Sequence, residues 1–182
     1  SVNLSARQLA DAQLPNTIAR ALDDTGIDPH LLALEITETV LMEETESPVE
    51  LLDTLRALGV RIFLDDFGTG YSSLSYLKRL PLDVLKLDRS FIAGLESDDE
   101  SDNRIVAAVI EMARALGIDL IAEGVETKTQ LAFLRELGCT IAQGYYFARP
   151  TSPEEISALL DARAAVPEIA VAALEPTVGS SF

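Results

Sequence analysis

The chain has one cysteine, one histidine and no tryptophan among its 182 residues. A lone Cys139 excludes an intrachain disulfide and is typical of a reducing compartment, so we expect a cytoplasmic location, although the parent protein could carry a membrane anchor elsewhere. With one residue of each type, the sequence gives no support for a Cys–His nucleophilic pair or for a zinc site built from those two residue types. Because no run approaches the ~18 apolar residues of a membrane span, we expect no membrane contact from this segment.

Positive charge is also scarce, with 14 Lys and Arg residues against 30 Asp and Glu residues and a net charge of −16. Removing the seven carboxylates that lie near predicted strand ends from the count still leaves −9, so the remaining surface is acidic too. Such a surface repels nucleic-acid polymers and anionic membranes. A small anionic ligand could bind only where metal ions neutralise the acidic rim.

Short apolar runs alternate with helical patterns along the chain. The runs predict strands at residues 1–3, 31–36, 60–65, 84–88, 119–123 and 140–143. Repeated strand–helix units imply a parallel sheet and an α/β fold, with the TIM-like (β/α)8 barrel as the leading architecture. Such barrels need about 250 residues. We therefore expect an N-terminally truncated barrel of about six βα units over residues 1–163, followed by a disordered tail over residues 164–182.

Helix boundary signals support this division of the chain. Ser47 and Glu50 predict a capping box with Pro48 at the first helical position. Thr127 and Gln130 predict a second capping box. Glycines at helix ends, proline near helix starts and apolar residues at helical spacing predict helices, not additional sites.

Each predicted strand ends near a polar residue, and these residues are Asn3, Glu35, Asp65, Lys86, Glu123 and Gln143. In a (β/α)8 barrel the catalytic groups come from the C-terminal ends of several strands. A single acidic pair at a strand end is often only solvated, but the repetition favours one shared site.

The segment from Leu64 to Ser73 contains the adjacent carboxylates Asp65 and Asp66, followed by Gly68 and Gly70. One carboxylate at a strand end can bridge two metal ions while its neighbour holds one of them. Two ions roughly 3.5–4 Å apart can activate water and stabilise the leaving oxygen of a phosphodiester. A set of carboxylate and amide oxygens predicts two Mg²⁺ or Mn²⁺ ions.

Lys86 lies in a predicted strand that alternates from Asp83 to Asp88, which places its side chain inside the barrel. There it could hold a phosphate oxygen or orient the attacking water. Glu35 and Glu38 share a spacing with Glu123 and Glu126. In each pair we assign the first glutamate to the metals and the second to positioning the neighbouring loop.

Six motifs together resemble the EAL-domain cyclic di-GMP phosphodiesterases. They are Asn3-Leu4-Ser5, Leu34-Glu35-Ile36-Thr37-Glu38, the loop from Asp65 to Ser73, Leu85-Lys86-Leu87-Asp88, Ala122-Glu123-Gly124-Val125-Glu126 and the stretch from Gln143 to Pro150. The resemblance runs from Ser1 to about Arg163. The Glu-Ala-Leu motif itself, with a metal-binding glutamate, belongs to a first strand that this sequence does not contain.

The resemblance implies hydrolysis of one phosphodiester bond of cyclic di-GMP to linear pGpG. The implied metal ligands are Asn3, Glu35, Asp65, Asp66, Asp88 and Glu123, with Asp65 bridging. Lys86 and Glu123 are both candidates for activating the water. Gln143 would touch the substrate or a metal-bound water, and residues 67–73, which include Gly68, Thr69 and Gly70, would form a mobile lid linked to the dimer interface.

Three functions other than hydrolysis can be compared with the sequence. A kinase interpretation of Asp66-Phe67-Gly68 fails, because neither a Gly-rich phosphate loop nor a His-Arg-Asp loop accompanies it. A cyclic di-GMP receptor without catalysis and an interaction scaffold are the alternatives. The resemblance further implies a homodimer through barrel helices and the lid, and an upstream sensor or GGDEF domain. Because the first-strand glutamate is absent, we expect residues 1–182 alone to be inactive.

Overall fold

A computed structural model describes residues 1–43, 48–70, 74–96 and 101–161. In these ranges strands and helices alternate along the chain. The strands are β1 (Val2–Asn3), β2 (Ala33–Thr37), β3 (Arg61–Phe67), β4 (Val84–Leu87), β5 (Asp119–Ala122) and β6 (Ile141–Ala142). The helices are α1 (Ala6–Leu9), α2 (Leu14–Thr25), α3 (Glu38–Glu43), α4 (Val49–Ala57), α5 (Leu74–Leu77), α6 (Arg89–Ala93), α7 (Ser101–Leu116), α8 (Lys128–Glu136) and α9 (Pro153–Asp161).

The chain divides into two compact units, the first formed by Ser1–Asp88 with Ala108–Leu120. In this unit β1 to β4 pair in parallel, each with the next strand along the chain. Alternate residues of β2 and β3 enter an apolar core between the strands and their helices. The core strand residues include Leu34, Ile36, Ile62 and Leu64, and the helices contribute Leu22, Leu52 and Leu55.

The second unit contains Arg89–Ala107 and the chain from Ile121 onward. Here β5 and β6 pair in parallel through Ile121 with Ile141 and Ala122 with Ala142. Helix α8 begins at the capping box predicted for Thr127 and Gln130, and the structure confirms both reciprocal hydrogen bonds. The parallel strands and intervening helices confirm the α/β class.

Several element boundaries differ from the sequence prediction for local reasons. Strand β2 begins at Ala33 rather than residue 31, because Asp28 caps a 3-10 turn over Pro29–Leu31. Strand β3 continues past Asp65 to Phe67 through an irregular register. Pro48 is the N-cap of α4, not its first helical residue, so the predicted box is wrong at that position, while Ser47 lies outside the described residues.

The predicted tail at 164–182 also lies outside the described residues, as do Tyr71, Ser72 and Ser73 of the predicted lid. Among the helices that the structure describes, none is long and apolar enough to cross a membrane.

Candidate functional site

Polar side chains occupy the face of β2, β3 and β4 that points away from the helix-packed core. Neighbouring residues of a strand point to opposite faces, and Leu34, Leu64 and Leu85 are in the core. Glu35, Asp65 and Lys86 therefore share the other face. Lys86 is the one charged residue of β4, and it is only 6% exposed. A lysine so deeply buried must be compensated by nearby anions.

Two carboxylates provide that compensation. The Lys86 Nζ lies 3.1 Å from Glu35 Oε2 and 2.9 Å from Asp65 Oδ1, and it donates a hydrogen bond to each. All three side chains are largely buried. The structure thus brings together one predicted catalytic residue and two predicted metal ligands. Charge-assisted hydrogen bonds of this kind fix side-chain geometry as well as neutralising charge.

The remaining predicted ligands of the first unit lie at the same strand ends. Asn3 is the register partner of Glu35 across β1 and β2, and its side chain is exposed. Asp88 follows the last residue of β4, and its backbone N–H donates to the Phe67 carbonyl at 3.5 Å. The parallel register thus places their backbones near Glu35 and Phe67 respectively.

Asp66 has a left-handed backbone with a φ of 53°, unusual for a residue other than glycine. Its N–H donates to Asp65 Oδ1 at 3.0 Å, and its carbonyl accepts from the Thr69 hydroxyl at 2.8 Å. This conformation produces the register shift between Leu64 and Phe67. The bulge lets Asp65 remain with Lys86 while the following chain turns into the loop, as bulges beside functional sites commonly do.

Glu38 holds the loop that follows β3. It is the first residue of α3, is 1% exposed, and its Oε2 accepts from the N–H of Gly68 at 2.9 Å and of Gly70 at 3.2 Å. These hydrogen bonds attach the loop to the start of α3, and the loop-positioning role of Glu38 stays a prediction.

The two loop glycines are needed for different reasons. Gly68 has a φ of 97°, a left-handed conformation that glycine adopts at little cost. Gly70 is not among the positive-φ glycines, so backbone conformation does not explain glycine at that position. A Cβ at Gly70 would instead lie 3.0 Å from Glu38 Cδ, and glycine permits this close approach.

The donor set fits a divalent cation. Lys86 Nζ donates to Glu35 Oε2 and to Asp65 Oδ1, and the Asp66 N–H also donates to Asp65 Oδ1. Two carboxylates against one ammonium leave a net negative charge, and hard oxygen donors suit Mg²⁺ or Mn²⁺.

The second unit carries the other predicted site residues. Glu123 directly follows β5, and the exposed Gln143 directly follows β6. The Gln143 N–H donates to the Ala122 carbonyl at 2.8 Å, which extends the β5–β6 pairing beyond the strands. Glu126 is exposed, and its backbone N–H donates to Gln130 Oε1 at 2.8 Å, so its backbone contact joins the start of α8.

Sequence reasoning missed the role of Asp83, which precedes β4. Its Oδ2 accepts from the Ile62 N–H at 2.8 Å, and its Oδ1 accepts from Arg56 Nη2 at 3.0 Å. Asp83 thereby ties α4, β3 and the start of β4 together. The signal available was an acidic residue just before a buried strand, which by itself does not identify a partner.

A cavity of about 560 Å³ in the second unit was also not predicted. Its lining includes Gln143, Tyr145, Phe147 and Arg149. The Arg149 guanidinium carbon lies 4.8 Å above the centre of the exposed Tyr145 ring. An aromatic ring beside a guanidinium group can contact flat, polar ligands.

Cys139 is buried, and burial raises the pKa of its thiol. A thiol that resists ionisation is a poor nucleophile, so its environment agrees with the role of a small core residue.

Comparison with known proteins identifies the family. The sequence model of the EAL domain matches residues 1–150, so this chain belongs to the EAL-domain family. It is 49% identical over 150 residues to the cyclic di-GMP phosphodiesterase NbdA of Pseudomonas aeruginosa, covering 82% of this chain and 19% of NbdA. The chain therefore spans about a fifth of that relative.

Solved structures show the same relationship. A PaMucR phosphodiesterase in complex with cyclic di-GMP superposes with a TM-score of 0.80 at 45% identity, covering 85% of this chain and 62% of that one. BlrP1 of Klebsiella pneumoniae, solved with manganese and cyclic di-GMP, gives a TM-score of 0.75 at 32% identity, covering 81% and 38%. The predicted TIM-barrel-like fold is thereby confirmed.

Proposed function

We propose that the protein containing this chain hydrolyses one phosphodiester bond of cyclic di-GMP to give linear pGpG. The observation that carries the proposal is the buried group of Lys86 with Glu35 and Asp65 on adjacent parallel strands, where Asp65 and Lys86 lie in the C-terminal halves of β3 and β4 and Glu35 lies at the centre of β2. Catalytic groups of such folds lie at the C-terminal ends of the strands. The names of the relatives supply the substrate: NbdA is a cyclic di-GMP phosphodiesterase, and PaMucR was solved with cyclic di-GMP.

We assign metal binding to Asn3, Glu35, Asp65, Asp66, Asp88 and Glu123, with Asp65 as the bridging ligand. When bound, two divalent ions would supply charge neutralisation and activation of water. BlrP1 was solved with manganese, which supports a divalent ion, and the oxygen donors favour Mg²⁺ or Mn²⁺.

The buried Lys86 restricts the orientation of the two carboxylates that it contacts. The Lys86 ammonium fixes one oxygen of Glu35 and one of Asp65, so both carboxylates keep a constant orientation. As a buried cation it can also attract a phosphate oxygen, or orient the attacking water through an N–H donor. Glu123 stays the second candidate for activating that water.

The loop after β3 would close over the substrate. Glu38 accepts two hydrogen bonds from it, so the loop conformation depends on this buried carboxylate. We assign Glu38, Gly68, Thr69 and Gly70 to positioning this loop, Glu126 to positioning its own neighbouring loop, and Gln143 to contact with the substrate or a metal-bound water. A homodimer formed through barrel helices and this loop is part of the proposal.

The test is to incubate the purified protein with cyclic di-GMP and Mg²⁺ and to follow linear pGpG by chromatography. Asp65→Ala is expected to abolish turnover while circular dichroism and the unfolding midpoint show a folded protein. Asp53→Ala, at an exposed position of α4, is the matched control and should retain full activity. Unchanged turnover in Asp65→Ala at saturating Mg²⁺ would refute the two-metal assignment.

Binding of cyclic di-GMP without formation of pGpG would favour the alternative of a cyclic di-GMP receptor. Isothermal titration calorimetry measures this binding directly.

The expected inactivity of residues 1–182 alone is tested by comparing this chain with a version extended by the first strand of a related EAL domain. Equal hydrolysis rates in the two would contradict that expectation.

A further inference from the structure

Backbone hydrogen bonds join the chain segments that carry Glu123 and Gln143. The Val125 N–H donates to the Gln143 carbonyl at 3.0 Å, and the Val125 carbonyl accepts from the Tyr146 N–H at 2.9 Å. Val125 is fully buried, two residues after Glu123. Its backbone is therefore held on both sides by the segment that follows β6.

Gly144 lies at the centre of this junction. A Cβ at Gly144 would be 2.1 Å from the Val125 carbonyl oxygen and 2.3 Å from the Val125 nitrogen. Unlike the end of a long side chain, these backbone atoms cannot rotate away. A methyl group at Gly144 would have to separate the two segments by roughly 1 Å, and misplacement on that scale can cost catalysis about a hundredfold.

A second close approach restricts the same loop. Gly124 has a φ of 72°, and a Cβ there would lie 2.4 Å from Arg89 Cβ. The residues on either side of Glu123 are thus fixed: Ala122 accepts from the Gln143 N–H, and Gly124 lies against Arg89. The close contact at Gly144 completes this arrangement.

We propose that Gly144 is a positioning residue, which sets the placement of Glu123 and Gln143 by allowing the Val125 backbone to lie directly against it. The inference rests on the proposed function for the roles of Glu123 and Gln143. It predicts that Gly144→Ala changes metal binding and turnover beyond any effect on folding.

The experiment compares Gly144→Ala with the wild type in two assays, and both proteins are made in the version extended by the first strand of a related EAL domain, because residues 1–182 alone are expected to be inactive. Isothermal titration calorimetry with Mn²⁺ reports on the metal site without catalysis, and we expect roughly tenfold weaker binding, as for loss of groups that orient ligands. Hydrolysis of cyclic di-GMP should show kcat lowered about a hundredfold, with a smaller change in KM. A residue that acted only on stability would not lower kcat this far while changing KM less.

Leu134→Val serves as the control for stability, because Leu134 is buried in α8 and its truncation destabilises the same unit without widening the junction. Both variants are assayed at temperatures where each is fully folded. Either of two results would overturn the inference. One is a Gly144→Ala protein whose Mn²⁺ affinity and kcat stay within twofold of the wild-type values. The other is a loss of Mn²⁺ affinity and kcat equal to that of Leu134→Val.

The two proposals fail in different ways. If the wild type hydrolyses cyclic di-GMP and Gly144→Ala does so equally well, the positioning role is wrong and the proposed function stands. If the wild type binds Mn²⁺ but shows no hydrolysis, the proposed function fails, and the Mn²⁺ affinity of Gly144→Ala still decides the positioning role. A wild type that binds no Mn²⁺ would overturn both.

Discussion

The polar ends of the strands are built differently in the two units. In the first unit, Lys86 with Glu35 and Asp65 is a buried charged group whose geometry is set by ion pairs. In the second unit, the segment after β6 is exposed at Gln143, Tyr145 and Arg149 and is held by backbone hydrogen bonds around Val125. Side-chain charge fixes the first region, whereas close backbone contact fixes the second.

This difference determines which substitutions destabilise each region. Buried ion pairs tolerate little change in charge, because the partner left behind keeps its desolvation cost. Backbone junctions tolerate changes of side-chain charge but not an added Cβ. Charge substitutions should therefore lower the free energy of unfolding strongly in the buried group of Lys86, Glu35 and Asp65, and only slightly in the exposed segment after β6.

The largest effect is expected for Lys86→Met, which leaves Glu35 and Asp65 buried without their cation. Breaking a buried pair in this way costs about 3–5 kcal/mol, so urea denaturation should show a large loss of unfolding free energy. Hydrolysis should fall below detection. The exposed Lys78→Met is the control and should unfold like the wild type.

The stability of Lys86→Met should also depend on divalent cations. Adding Mg²⁺ should recover part of the stability lost in Lys86→Met, because the cation binds the uncompensated carboxylates only in the folded state. A Lys86→Met protein as stable as the wild type in the absence of metal would show that the ion pairs do not set the stability of the first unit.

The second prediction replaces Mg²⁺ with Ca²⁺. Ca²⁺ prefers oxygen distances of about 2.3–2.6 Å against about 2.0–2.1 Å for Mg²⁺, so it should change the spacing of two ions held by one bridging carboxylate. Turnover should fall on the order of a hundredfold, as expected for misplaced reacting groups. Product formation measured in each ion after removal of the other by chelation makes the comparison, and full activity in Ca²⁺ alone would contradict the all-oxygen two-metal site.

The third prediction concerns Glu38→Gln. The amide would present an N–H₂ group or a weaker acceptor to Gly68 and Gly70, leaving buried N–H groups poorly paired at a cost of about 1–3 kcal/mol. We expect a similar loss of unfolding free energy and a lower kcat, because the loop loses its attachment. Glu50→Gln, at an exposed position of α4, should leave both quantities unchanged.

Much of the fold and of the first-unit site could be predicted from sequence because it follows from periodicity. Alternation in β4 placed Lys86 on the inner face, and the strand–helix repeats predicted the parallel pairing. Such patterns depend only on neighbours in the sequence.

The missed features depend on contacts distant in sequence. Gly70 lies against the side chain of Glu38, 32 residues away, and Gly144 is required by the Val125 backbone. Asp83 is explained only by Arg56 and Ile62. A single sequence shows that these residues are glycine or aspartate, but not which atoms approach them.

The smallest effect is expected for Arg149→Ala in the exposed segment of the second unit. The guanidinium lies over the Tyr145 ring, and such a contact at an exposed site contributes about 0.5–1 kcal/mol. The unfolding free energy measured in urea should therefore fall by no more than this amount, and the exposed Arg135→Ala in α8 provides the control. Weaker cyclic di-GMP binding without loss of stability would mark Arg149 as a ligand contact in the cavity beside Gln143. A destabilisation as large as that of Lys86→Met would instead show that side-chain charge also fixes this region, and the contrast between the two units would be wrong.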